Sequence, residues 1–132
     1  SAEHSVIVSH FVPPEFAREG LMHDATEAYI GDMIRPLKHW HKMSPFREVE
    51  ALIEPVIAER FGLRWTPEAR AAIEEVDDRI LVDEIQELLR GPEKYLEQPA
   101  LAALKPLGAR ITGLPWNHAE HVFTSRYVEL FR

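Results

Sequence analysis

Cysteine is absent from this chain. That excludes disulfides, thiolate metal ligands and a cysteine nucleophile from it, so any metal site must be built from imidazole and carboxylate groups. A basic stripe is missing too. With 15 Lys and Arg against 22 Asp and Glu, the formal charge is -7, the wrong sign for displacing counterions from a nucleic acid, and no nucleic-acid partner is expected. The one basic cluster, Lys38, His39, His41 and Lys42, is too small for a duplex footprint but adequate for one phosphate. No apolar run of about 18 residues occurs, so no membrane partner is expected. No positively charged segment leading into an apolar stretch opens the sequence. Together with the lack of cysteine, this makes a cytoplasmic location the expectation. A glycine-rich phosphate loop and the serine-nucleophile signatures are also missing, which removes P-loop chemistry from consideration.

What is present reads as one folded domain. The 132 residues are 45% hydrophobic and 28% charged, enough to bury a single core, and the expected unit is one domain over residues 1–132. The chain opens Ser-Ala-Glu-His, without Met and already inside a helical pattern. It therefore reads as the remainder of a longer protein lacking an N-terminal segment.

The hydrophobic pattern and its punctuation predict helices throughout. Residues 2–12 carry Val6, Ile7, Val8, Phe11 and Val12 and stop at Pro13-Pro14, because the residue before a proline is pushed out of the helical region. A second helix is expected from Pro14 to about Tyr29, ending at Gly31, and then a loop to Lys42 with a short helical turn. Ser44-Pro45 starts a helix over 45–61 with Val49, Leu52, Ile53, Val56 and Ile57 inward and a kink or break at Pro55. Thr66-Pro67 starts another, to about Arg90, with Ile73, Val76, Ile80, Leu81, Ile85 and Leu88 as its stripe. Residues 91–113 are turn-rich with a short helix near 100–104, and Asn117 is expected to cap a last helix to Phe131. Nothing alternates as a strand does, so the class is all-α.

His4 and His23 stand at equal distance from the Pro13/Pro14 boundary, about 9.5 residues or roughly 14 Å along a regular helix. In an antiparallel pair joined by a tight turn, equal distance means equal height, so the two imidazoles are expected to meet. On a regular second helix His23, Asp24 and Glu27 would share one arc. Two ligand types and a spare carboxylate opposite another histidine are what a hydrolytic divalent-metal site requires. Against this stands the ordinary occurrence of His-Asp pairs at surfaces and of histidines within apolar helices. His118 and His121, at i and i+3, lack a carboxylate pattern and read as a polar helix face. Trp40 is either a cover for the core or a platform for a nucleobase.

The residues Ala2-Glu3-His4-Ser5, His23-Asp24-Ala25-Thr26-Glu27-Ala28-Tyr29-Ile30-Gly31-Asp32 and Arg35-Pro36-Leu37-Lys38 resemble the HD-domain phosphohydrolase superfamily. Within it they are most similar to the branch of YfbR-type 5'-deoxynucleotidases and DatZ-type phage dATP triphosphohydrolases. The resemblance covers about residues 2–90. It implies an HD-domain helical bundle and one divalent metal ion (Mn, Co, Fe, Ni, Zn or Mg) held by His4, His23, Asp24 and a later aspartate. Asp77 or Asp78 could supply the last ligand; Asp77 is preferred because it lies four residues from both Ile73 and Leu81 on the inward stripe. The resemblance further implies that Glu27 positions or deprotonates water, that Asp32 contacts the sugar or assists proton transfer, and that Lys38 and Arg35 hold phosphate oxygens. The implied substrate is a nucleotide, a deoxynucleoside monophosphate first and a triphosphate second, with a non-catalytic nucleotide-binding module as the alternative. A homo-oligomer is implied as well. Relatives carry further sequence before the first histidine, with an Arg and an aromatic that grip phosphate and base.

Overall fold

A computed structural model describes residues 2–132 of the chain, Arg35 by its backbone alone. Nine α-helices are seen among the described residues: α1 (Ala2–Phe11), α2 (Ala17–Met22), α3 (Glu27–Ile30), α4 (Arg35–Lys38), α5 (Ser44–Phe61), α6 (Pro67–Leu88), α7 (Glu93–Leu96), α8 (Pro99–Ala102) and α9 (Trp116–Phe131). Short 3-10 turns at Pro14–Phe16 and His41–Met43 link them. No strand occurs among the described residues, and the class is all-α as the pattern predicts. No helix is long and apolar enough to cross a membrane.

The boundaries follow from local chemistry. Pro13 and Pro14 stop α1 and start the 3-10 turn. Gly62 ends α5 in the left-handed conformation, φ 66°, and its N–H reaches the carbonyls of Ala58 and Glu59; only glycine takes that geometry without a Cβ penalty. Thr66 caps α6 by accepting the N–H of Ala69 at 3.1 Å, with Pro67 at the first helical position.

Helix α1 is the centre of the molecule. Val8 and Val12 join Ile73, Val76 and Ile80 of α6 and Ile111 in one apolar cluster. Val6 joins Leu21, Met22, Ile57 and Leu63 in another, backed by Phe123, Tyr127 and Phe131 of α9. Helix α2 lies against α1 at Gly20, where a Cβ would stand 3.2 Å from Val12 Cγ2 and 3.3 Å from Ser9 Cα. From the other side Arg126 of α9 donates through Nε to Ser9 Oγ and through Nη2 to the Ser9 carbonyl. Further along, the buried carboxylate of Asp83 accepts the backbone N–H groups of Leu107, Gly108 and Ala109 at 2.7, 2.9 and 3.2 Å. These three bonds tie the segment after α8 down on α6, and Glu3 accepts from Thr112 and Gly113 just beyond.

Several expectations are corrected. The second helix does not run to Tyr29: α2 ends at Met22, and tight turns closed by Ala25 N–H to Met22 O and Glu27 N–H to Asp24 O precede α3. Helix α5 passes Pro55 without interruption. Its buried arc is rotated from the expected one, so that Ile53, Ile57 and Phe61 pack inward while Val49, Leu52 and Val56 are 44%, 72% and 66% exposed. The rotation brings Glu50 and Glu54 over a cleft instead. On α6, Leu81 and Leu88 are exposed, while Val82 and Asp83 are buried beside Ile80, Asp83 facing the 107–109 backbone. Trp40 is exposed, with Lys42 Nζ 5.2 Å above its ring, and does not cover the core. Pro115 rather than Asn117 precedes α9. His118 and His121 are exposed.

Candidate functional site

Three helices bring the chemistry together. The rings of His4, from α1, and His23, at the end of α2, stand 5.4 Å apart between centroids, the meeting that equal spacing about the two prolines predicts. Asp77 comes from the middle of α6 and Asp24 from the turn after α2. Asp77 Oδ1 lies 2.8 Å from His4 Nε2 and 3.5 Å from His23 Nε2; Asp24 Oδ2 lies 3.3 Å from His23 Nε2 and 4.0 Å from His4 Nε2. Asp78 points elsewhere, lining a shallow depression with Arg79 and Lys105.

Each imidazole is oriented by its other nitrogen. The Nδ1–H of His23 donates to the Gly20 carbonyl at 2.7 Å, which leaves Nε2 directed at the cluster. That Nε2 is buried and has no hydrogen-bond partner. His4 donates through Nδ1 to Glu84 Oε1 at 2.9 Å. Asp77 and Glu84 are seven residues apart on α6, hence on one face about 20° apart. Such a carboxylate or carbonyl behind a ring nitrogen is the usual support of a metal-binding histidine.

The charges are strongly coupled. Burial alone would lower the pKa of His4, but the hydrogen bonds to Asp77 and Glu84 outweigh it and raise the ring to about 9. His23 moves the same way: burial opposes its charge, and Asp77, Asp24 and the Gly20 carbonyl favour it. Burial would raise the Asp77 carboxyl, yet the two imidazoles hold it well below the usual carboxylate range. Glu27 is pushed up to about 6, by burial first and then by the negative charges of Asp24 and Asp32.

Three of these residues, His4, His23 and Asp24, form a group that could hold a metal ion. One ligand atom each from His4, His23 and Asp24 can be chosen with all three within 4.8 Å of one another. Of the four distances quoted above, 3.3 and 3.5 Å lie close to the roughly 3.0–3.4 Å edges of an octahedron or tetrahedron with ligands about 2.1 Å from its centre, while 2.8 Å is shorter and 4.0 Å longer. A buried imidazole nitrogen that makes no hydrogen bond is costly; His23 Nε2 has only the Asp24 and Asp77 oxygens at 3.3 and 3.5 Å, and a cation at this point would satisfy it.

Two cavities flank the cluster. One, of about 300 Å³, is lined by His23, Asp24, Glu27, Lys38, Glu50 and Arg70, among others. The other, of about 830 Å³, shares Asp24 and Glu27 with it and is walled by Tyr29, Phe61, Trp116 and Phe123, with Asp32 also in its lining. Lys38 is carried on α4, whose end is fastened to α5 by Arg47 donating to the Lys38 and Trp40 carbonyls. Its Nζ is 2.7 Å from Glu50 Oε2. Asp32 is exposed and stands apart from the His4–His23 cluster, on the side of the larger cavity. The Arg35 side chain lies outside the described residues.

One relative stands beside these observations. The chain is similar to YfdR, an uncharacterized protein of Escherichia coli (strain K12), with 48% identity over 62 residues, 47% of this chain and 34% of YfdR. The chain thus covers about a third of that relative's length. No family model and no solved structure matches.

Sequence reasoning missed Glu84, Gly20, Glu50, Glu54 and Arg70. Glu84 was open to detection, since it repeats Asp77 two turns later. Gly20 carried a weaker signal, being a glycine inside an otherwise helical pattern and three residues before a histidine. The cleft face of α5 had no local mark.

Proposed function

We propose that this chain is a metal-dependent phosphohydrolase of the HD-domain type, acting on a nucleotide phosphate ester, with a deoxynucleoside monophosphate as the first substrate to test and the triphosphate as the second. The observation that carries the reading is the convergence of the buried Nε2 of His23, which makes no hydrogen bond, with His4 Nε2 and the carboxylates of Asp24 and Asp77. His4, His23, Asp24 and Asp77 would hold the ion.

A bound divalent ion supplies a water acidified toward neutrality and a Lewis acid for a phosphoryl oxygen. The protein's part is orientation and proton handling. Glu27 faces both cavities beside Asp24, and a carboxylate with a pKa near 6 can take a proton from an attacking water at neutral pH. Lys38 offers its ammonium to phosphate oxygens once Glu50 releases it. The larger cavity has a size and an aromatic wall suited to a nucleoside, and Asp32 in that wall can accept from a sugar hydroxyl.

The test is metal analysis of protein purified without chelator, followed by a phosphate, pyrophosphate and triphosphate release screen over deoxynucleoside mono- and triphosphates with Mn, Co, Mg and Zn. Release that needs the metal and is abolished in His23→Ala is the expected result. Absence of any bound divalent ion, with no thermal shift on adding one, would sink the proposal. Metal binding without turnover on any nucleotide would leave a nucleotide-binding module in place of an enzyme.

A further inference from the structure

We propose that Arg70 is a phosphate-binding residue of the smaller cavity, acting together with Lys38. This rests on the phosphohydrolase reading for its biological meaning, although anion binding can be measured without it.

The placement comes first. Among the described residues, Arg70 and Lys38 are the Arg and Lys side chains in the lining of the 300 Å³ cavity that also contains His23, Asp24 and Glu27. Arg70 stands on α6 seven residues before Asp77, so the two share a face within about 20°, separated by roughly 10 Å along the axis. The guanidinium lies on the Trp65 and Glu54 side of the cavity, whose lining continues to His23, Asp24 and Glu27.

Its direction is already fixed. The guanidinium carbon lies 5.1 Å over the Trp65 ring, and Nη2 donates to Glu54 Oε1 at 2.6 Å. A guanidinium has five donors in a planar fork. The bond to Glu54 occupies one corner, and the stacked plane keeps the fork oriented, so an oxyanion would meet a donor set with little rotational freedom left to lose.

The arrangement on α5 repeats itself. Glu50 holds Lys38, and Glu54, one turn later, holds Arg70. Adjacent turns of one helix therefore occupy both cations of the cavity. The Arg70–Glu54 pair is largely exposed, with side chains 54% and 36% accessible, and such a pair is worth little and is cheaply exchanged. A phosphate is the better partner for a guanidinium, because it can accept two parallel N–H bonds with more charge. Glu50 and Glu54 are thus positioning residues that keep the cations extended over the cavity and compete with the incoming anion.

This makes opposite demands on two neighbouring residues. Binding of inorganic phosphate is to be followed by isothermal titration calorimetry, with and without Mn, for wild type, Arg70→Ala, Arg70→Lys and Glu54→Gln. Arg70→Ala is expected to weaken phosphate binding by about 10-fold or more, the scale of a lost charged hydrogen bond. Arg70→Lys keeps the charge but not the fork and is expected to lose roughly 3-fold. Glu54→Gln removes a competitor and is expected to tighten binding by roughly 3-fold. Circular dichroism melts and a second variant, Arg70→Gln, guard against a folding defect.

Phosphate affinity equal to wild type in both folded Arg70→Ala and Arg70→Gln overturns the assignment, even if the metal and its hydrolytic activity are found. No phosphate binding by wild type under either condition overturns it as well. Arg70-dependent phosphate binding in a protein that takes up no metal upholds it while removing the enzymatic reading.

Discussion

The Nδ1–H of His23 is bonded to the carbonyl of Gly20, three residues earlier, and that same Gly20 packs tightly against Ser9 and Val12. One residue thus sets both the rotation of a candidate ligand and the distance between the two helices that carry the imidazoles. The absence of a side chain at position 20 is what allows Val12 and Ser9 to come so near.

Gly20→Ala places a methyl 3.2 Å from Val12 and 3.3 Å from the Ser9 backbone. Overpacking of this kind costs about 1–3 kcal/mol, and here it also spreads the two histidines. The expected outcome is a lower midpoint in chemical denaturation together with weaker divalent-ion binding in the fraction that remains folded. A folded variant with unchanged ion affinity would show that the helix approach does not govern the cluster.

Glu84 meets the cluster through His4. Replacing it with Gln keeps the size and an acceptor but removes the charge that fixes the ring. Ion affinity is expected to fall by about 10–100-fold, the scale seen when the group behind a ligating histidine is lost. Calorimetric titration of the ion into the variant checks this, and an unchanged affinity would count against His4 as a ligand.

Glu27→Gln separates holding an ion from using it. The amide occupies the same space and cannot take a proton, so ion content should match wild type while turnover falls by about 100-fold or more. Variant protein as active as the parent would move the proton acceptor elsewhere.

Glu19 gives a pH effect outside the cluster. Its side chain is only 5% exposed on α2, and its nearest backbone donor, the Arg64 N–H, is a long 3.5 Å away. Burial raises its pKa above the ordinary value of 4.5. A carboxyl raised in the folded state binds its proton more tightly there than in the unfolded chain. Its ionisation therefore costs stability above the folded pKa, and that cost fades as pH falls from there toward 4.5. Glu19→Gln is expected to stabilise the protein at pH 7, with the difference from wild type shrinking toward pH 4.5. Denaturation midpoints at several pH values decide it; a gap that widens on acidification would reverse the sign.

The parts of the fold visible in the sequence are those that local chemistry determines. Pro13-Pro14, Gly62 and Thr66-Pro67 act within a few residues of themselves, and the helix ends they mark lie where they should. Counting from the two prolines was enough to bring His4 and His23 together, because the count depends only on helical rise. What depends on neighbours was not visible. The chain leaves the helix after Met22, so Asp24 comes from a turn and Glu27 from the start of α3, not from the regular arc expected of them. The rotation of α5 is decided by which of its faces finds α2 and α9, and nothing in Val49, Leu52 and Val56 distinguishes them from Ile53 and Ile57 locally. Likewise Asp83 and Glu84 are adjacent acids with no difference in pattern, yet one secures a loop and the other steadies a ring.

The bonds from Asp83 to the 107–109 backbone and from Arg126 to Ser9 have a consequence for synthesis on the ribosome. Every candidate ligand has been translated by residue 77, yet the first helix is held from one side by residues near 110 and from the other by residues near 126. Contacts that close loops of more than 100 residues form late. The imidazoles of His4 and His23 are therefore synthesised well before the segments that hold their helices in place.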